Sequence, residues 1–297
     1  MMFDVRVEDT ADDEIVGVAR HLLDHALAAD LQDDRFSDAW VSEINHPDHT
    51  FIAAVAVGDA HPVGFVGGTV EGGRLQLDAL VSPHSRWDRA EVFDALLVSV
   101  LSTDPSPIAV PVDQVEVWGK PAYDWHESVL TRHRFREVRA LQQMRCPLPI
   151  DAEPVPARAF RPGDDDAALI EVNNRAFVDH PDQGGWTQDT LEQRMAAPWF
   201  DPDGVRMFER DGRLAGFCWT KIHERPPLGE IFAIGIDPDF HGQGLGVPMT
   251  AAGLRWLGDR GLTEGMLYVE CDNAPAVRTY ERLGFSTVRI DRAWRRD

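Results

Sequence analysis

Apolar and polar blocks alternate most clearly in the second half of the chain. Ile231 to Ile236 is a short apolar run with β-branched residues and one aromatic, bounded by Pro227 and Gly229 before it and by Asp237 and Pro238 after it, which predicts a buried strand. Apolar residues then recur at Met249, Ala252, Gly253, Trp256 and Leu257, the spacing of a helix with one covered stripe. Met266 to Val269 predicts another strand. Asp272-Asn273-Ala274-Pro275 opens a second helix with a capping side chain and an early proline; it runs through Tyr280 and stops at Gly284. A fainter copy of the pattern lies in the first half: Leu75 to Ser82-Pro83 as a strand, a helix through Phe93 and Leu97, and a strand at Val115-Glu116-Val117-Trp118.

Chemistry enters between the first strand and the first helix. His241-Gly242-Gln243-Gly244-Leu245-Gly246 places three glycines where backbone amides approach an anion closely, and the helix that follows offers unpaired N–H groups and a positive dipole end. Pro248 falls within the first turn, where a missing N–H costs least. A tight turn, a dinucleotide loop and a phosphate loop all fit a glycine-rich stretch, but the GxGxxG and Walker patterns are absent. The loop resembles motif A of the GNAT acetyltransferase superfamily, with His241 where Arg or Gln is usual. The string YVECDNAPAVRTYERLGF is similar to that superfamily's second signature, in which an Asn opens the helix beside the cofactor and a Tyr faces its sulfur. The resemblance implies an α/β (α+β layered) fold, a mixed central sheet flanked by helices. It also implies acetyl-CoA as co-substrate, held by Ile234, Gly235 and Ile236, by His241, Gly242, Gln243, Gly244, Leu245, Gly246 and Val247, and by Asn273, Ala274, Pro275, Ala276, Val277 and Arg278.

A length of 297 residues leaves room for two such units. The proline-rich stretch around Cys146-Pro147-Leu148-Pro149 and Pro154-Val155-Pro156 suits a linker, so the chain is expected to divide into residues 1–147, a linker at 148–157, and residues 158–297. No apolar segment has the length of a membrane span, and the N-terminus lacks a signal pattern. Three cysteines without framework or metal spacing suit a reducing cytoplasm. A net charge of -21 speaks against nucleic-acid or anionic-membrane partners, and a monomer is expected. His21 and His25 stand at i, i+4, but the sequence shows no third ligand, and no metal is expected.

Sliding the first half onto the second aligns Pro83 with Pro238. Trp87, Arg89 and Glu91 then fall on Gly242, Gly244 and Gly246, and Leu75 falls on Glu230; aligning Arg134-Phe135 with Gly284-Phe285 puts Leu130 at Tyr280. The first half thus reads as a GNAT unit that has lost its phosphate loop, base and acid, with Asp88 and Glu91 placed against any pyrophosphate. It is expected to be non-catalytic.

The entry to the second unit narrows the family. VNNRAF (172–177), HPDQGGWT (180–187), WFDPDG (199–204) and GFCWTK (216–221), together with the C-terminal signature, resemble the mycothiol synthase family over residues 158 to 292. That family transfers acetyl to the cysteinyl amine of 1D-myo-inositol 2-(L-cysteinylamino)-2-deoxy-α-D-glucopyranoside. A free α-amino group has a pKa of about 7.7 to 8.0, so a modest base suffices, and Glu230 at the strand mouth is the candidate. Amides of Ile234-Gly235-Ile236 can polarise the thioester carbonyl if that strand bulges. The departing thiolate, of pKa near 8.5, is helped by a phenol, and Tyr280 is the candidate acid; a core aromatic is the other reading of Tyr280. The resemblance further implies acceptor contacts at Asp182, Lys221, Glu230 and Tyr268, with Asp182 one methylene shorter than the usual Glu. A GNAT enzyme acting on another amine and a non-catalytic acyl-CoA-binding protein stay open as alternatives.

Overall fold

The computed structural model describes residues 3–28, 50–71, 73–102, 111, 114–120, 122–178, 180, 183–224 and 227–296. The chain divides into two compact units, Met1–Leu141 with Arg289–Asp297, and Gln142–Val288. This partition differs from the expected one in two ways. First, residues 289–297 return to the first unit, where they supply an antiparallel strand: Arg292–Arg295 pair with Gly119–Glu116. A strand edge is completed by whatever segment matches its register, and a division read by sequence position does not see such a return. Second, residues 148–157 form neither helix nor strand, yet they are not a loose linker. Ile150, Ala152, Val155 and Ala157 pack on the core of the second unit, and Val155 N–H donates to Pro248 O at 3.1 Å. Prolines deny this stretch a sheet ladder but leave its apolar side chains free to pack.

The first unit runs β1 (Asp4–Glu8), α1 (Asp13–Ala28), β2 (Phe51–Gly58), β3 (His61–Glu71), β4 (Arg74–Val81), α2 (Arg89–Leu101), β5 (Val115–Gly119) and α3 (Asp124–Arg132), then enters β6 (Phe135–Pro147). The second contains the rest of β6, β7 (Arg158–Ala159), α4 (Asp166–Ala176), α5 (Gln188–Met195), β8 (Val205–Arg210), β9 (Arg213–Glu224), β10 (Pro227–Ile236), α6 (Gly246–Asp259), β11 (Glu264–Glu270), α7 (Ala274–Arg282) and the start of β12 (Ser286–Arg296). In each unit a parallel pair, β4 with β5 and β10 with β11, is joined by a crossover helix, and antiparallel neighbours extend the sheet. These are the mixed sheets and crossovers expected from the sequence.

Each crossover helix buries its stripe on the sheet. Met249, Ala252, Trp256 and Leu257 of α6 pack on Ile231, Leu267 and Val269; Val92, Phe93, Leu96 and Leu97 of α2 pack on Leu75, Leu77 and Val117. The two halves share backbone detail as well. Gly284 has φ +86°, and Arg134, its aligned counterpart, adopts φ +64°. No helix among the described residues is long and apolar enough to cross a membrane.

Candidate active site

The register of β10 shapes the site. It follows β9 from Pro227↔Glu224 to Ile231↔Thr220, then skips Phe232 and resumes at Ala233↔Trp219. The bulge lies at Phe232, two residues before the stretch where a polarising bulge was expected. On the other edge, the parallel pairing to β11 spans Gly229↔Gly265 to Ile231↔Leu267. Past that point the two strands have no paired residues, which leaves the β11-facing amides of Ala233 to Ile236 open to a carbonyl oxygen.

The bulge also corrects the comparison of the halves. β4 pairs with β3 without a register shift from Gly64↔Val81 to Glu71↔Arg74. Counting back from the prolines and removing the extra residue puts Gln76, not Leu75, at the place of Glu230. Side-chain faces agree: Leu77 and Ile231 are core residues under their crossover helices. The carboxylate is absent from the first half under either alignment.

Glu230, Lys221 and His223 project from one face of the β9–β10 hairpin, since Lys221 opposes Glu230 and His223 opposes Leu228. Tyr268 joins that face, two residues beyond Met266, the parallel partner of Glu230. Glu230 is 9% exposed, and its Oε2 lies 2.7 Å from His223 Nε2. Lys221 points at the aromatic wall instead, with Nζ 5.4 Å from the Trp199 ring centroid. Phe232, turned by the bulge, packs against the same ring at 4.9 Å between centroids with the planes tilted by 56°. The Tyr268 hydroxyl accepts from Gln143 Nε2 at 2.5 Å; Gln143 in turn accepts from Arg145 Nε at 3.0 Å. Asp182 lies outside the described residues.

Tyr280 belongs to the opposite face. It is buried among Cys218, Met249 and Phe285, and burial pushes its phenol well above the ordinary tyrosine range. The phenol therefore keeps its proton at neutral pH. The candidate base and acid thus lie on opposite sides of the sheet.

The glycine loop adopts the backbone conformation that its spacing predicts. Gly242 and Gly244 both have φ +74°, and a Cβ at either would meet nothing within 4 Å. The glycines answer to backbone conformation rather than crowding. His241 turns its Nε2 to Ile236 O at 2.9 Å, which ties the loop to the strand end and leaves anion contact to the backbone. The N-terminus of α6 has no side-chain cap, and no amide from Gly242 to Val247 has an acceptor among the described residues. Six consecutive free donors at a helix start fit the pyrophosphate of a coenzyme A. Asn273 caps α7, accepting from Ala276 N at 3.2 Å, with a proline in its first turn.

The corresponding helix start of the first unit has a side-chain cap. Asp88 caps α2, accepting from Ala90 N at 2.9 Å and Glu91 N at 3.1 Å. The amides that would meet a phosphate already hold a carboxylate.

Three consecutive residues of α4 hold the surrounding loops, a role that sequence reasoning missed. Asn173 Nδ2 donates to Gln183 O at 2.6 Å, and Asn174 both donates to Trp186 O at 2.8 Å and accepts from Trp186 N at 2.7 Å. Arg175 grips Asp237 at 2.9 Å and Asp239 at 3.0 Å, the turn that precedes the phosphate loop. His223 was missed too, although period-two spacing from Lys221 already puts it on the face of Glu230. Among the described residues no group of three or more side chains is placed to hold a metal ion.

The GNAT acetyltransferase family model matches residues 168–285. A mycothiol acetyltransferase of Thermomonospora curvata is 51% identical over 161 residues, covering 52% of this chain and 54% of that protein. One of Acidimicrobium ferrooxidans is 40% identical over 221 residues, covering 71% and 70%. For the Thermomonospora protein and one from Streptomyces griseus, the chain spans 54% and 64% of the relative's length. Two solved structures share the fold: a GCN5-related N-acetyltransferase from Sphaerobacter thermophilus (TM-score 0.73, 20% identity, 100% of this chain and 96% of that one) and a tandem GNAT protein from the clavulanic acid biosynthesis pathway (TM-score 0.65, 16% identity, 98% of each).

Proposed function

The chain belongs to the mycothiol acetyltransferase family of GNAT enzymes, and on that premise we propose that it acetylates the cysteinyl amine of 1D-myo-inositol 2-(L-cysteinylamino)-2-deoxy-α-D-glucopyranoside. Acetyl-CoA supplies an activated acetyl thioester. The free amides from Gly242 to Val247 hold its pyrophosphate, and Asn273 to Arg278 border it. Glu230 takes the proton of the amine as the new amide bond forms. Amides of β10 past the bulge carry the negative charge that builds on the carbonyl oxygen. Tyr280, held neutral by burial, gives its proton to the departing sulfur, so that the products are the amide and the free thiol of CoA. Lys221, Tyr268 and Asp182 contact the hydroxyl-rich acceptor, and catalysis is confined to the second unit.

The single observation that carries this reading is the buried carboxylate of Glu230 beside strands that part beyond Ile231 and a loop of free amides. The test follows CoA release with acetyl-CoA and the cysteinyl glucosaminyl inositol acceptor, using Glu230→Gln as control. Turnover that falls about 100-fold or more in the variant is expected. Turnover on other amines but not on this acceptor overturns the substrate; CoA binding without turnover on any amine overturns the activity.

A further inference from the structure

Behind Glu230, on the same hairpin, stands His223, whose Nε2 lies 2.7 Å from Glu230 Oε2. The two residues are 5% and 9% exposed. Lys221 is the residue directly opposite Glu230, yet it lies over Trp199 and forms no ion pair with the carboxylate. The partner of Glu230 is therefore the diagonal neighbour, reached because residues two apart on a strand share a face.

We infer that His223 is the positioning residue of Glu230, its Nε2–H donating to Oε2 so that Oε1 alone faces the acceptor amine. The inference rests on Glu230 acting as the base. A buried polar oxygen is normally kept with a hydrogen-bond partner, and an N–H to a carboxylate oxygen is among the stronger hydrogen bonds available. A base also needs its accepting oxygen held within hydrogen-bond reach of the proton it takes, and a carboxylate free to rotate offers that geometry only part of the time. The arrangement divides the work on β9. His223 holds the base, and Lys221, two residues before it, remains for the hydroxyl-rich part of the acceptor. Around Glu230 on this face, His223 bonds the carboxylate, Lys221 lies over Trp199, Glu264 of β11 is held by Arg145 at 3.2 Å, and the Tyr268 hydroxyl accepts from Gln143.

The full chain is assayed with acetyl-CoA and the acceptor by CoA release. His223→Leu removes the donor and is expected to lower kcat about 10- to 100-fold, with the KM for acetyl-CoA within about twofold of the starting value, since the phosphate loop is untouched. His223→Gln places an amide N–H near the position of Nε2 and retains most of kcat; His223→Asn, polar but too short, does not. The Gln–Asn pair decides the matter if the leucine variant fails to fold. In the double variant with Glu230→Gln, removing His223 costs nothing further, because the two act as a unit. Equal kcat for His223→Gln and His223→Asn, or an unchanged kcat in His223→Leu beside a slow Glu230→Gln, overturns the role of His223 alone. An unchanged kcat in Glu230→Gln overturns the reading of the base beneath it.

Discussion

Replacing Asp88 by alanine separates what that carboxylate does for the first unit from what it denies to coenzyme A. Asp88 accepts two helix-start amides, at 2.9 and 3.1 Å. Losing an N-cap of this kind costs about 1 kcal/mol, and losing a negative charge at a helix N-terminus about 0.3 to 1 more. The first unit has about 150 residues, where 1 kcal/mol corresponds to about 2–4 °C, so its thermal transition should fall by about 3–8 °C. The charge also opposes a ligand. A pyrophosphate bearing two charges roughly 6 Å from Asp88 is repelled by about 1.4 kcal/mol at the dielectric constant of water and about 5.5 kcal/mol at an effective value near 20. Even the lower figure is a tenfold loss of affinity, before counting the two amides already taken.

Isothermal titration of the wild-type chain should therefore find one coenzyme A per chain. Asp88→Ala should still find one, because Trp87, Arg89 and Glu91 stand where the second loop has glycines. Gly244→Val, which forces a β-branched residue to φ +74°, should leave none. Two equivalents of comparable affinity in the wild type would refute the argument that a carboxylate cap closes the first loop.

Three further outcomes follow from particular groups. Tyr280→Phe should lower kcat about 10- to 100-fold without changing affinity for CoA by titration, and since burial raises this phenol, wild-type kcat should show no loss from Tyr280 ionisation below about pH 10. His126, buried in the first unit, has its pKa pushed down to about 3; it stays neutral in the fold, so its stabilising contribution is full above about pH 6.5 and is lost as pH falls toward 3. Denaturant titrations across that window should show the first unit weakening, and His126→Asn, which keeps an acceptor for the Tyr123 N–H, should flatten the dependence. Arg175→Ala frees the turn at Asp237 and Asp239 and should raise the KM for acetyl-CoA several-fold while kcat at saturation changes little.

The elements around the loop were legible because each carries its own local signal. A glycine at φ +74° and an asparagine followed by Ala-Pro at a helix start are requirements of a few adjacent residues, and sequence displays them directly. The roles of Asn173, Asn174 and Arg175 depend on what lies 10, 12 and 62 residues away, and nothing in VNNRAF names those partners. What was readable there was only an anomaly: three polar residues closing an amphipathic helix, of which Asn173 is fully buried. Buried amides are kept when they bond backbone groups that need a partner, and here those groups are Gln183 O and the N–H and O of Trp186.

The bulge at Phe232 shows why a linear comparison of two repeats fails where the chemistry is. One extra residue in β10 leaves the local pattern of a strand intact, so neither composition nor periodicity reveals it, yet it inverts the face of everything before it relative to everything after. Aligned through the bulge, Glu230 falls on a core leucine, as though a buried apolar residue had been exchanged for a charge. Aligned around it, Glu230 falls on Gln76, an exposed polar residue on the equivalent face. The second exchange keeps Leu77 and Ile231 together in the core under their helices and puts the change of polar group on the other face. A carboxylate and a bulge are then two separate differences between the strands. The bulge parts β10 from β11 and turns Phe232 toward Trp199, and the carboxylate stands two residues before the opening, with His223 against one of its oxygens.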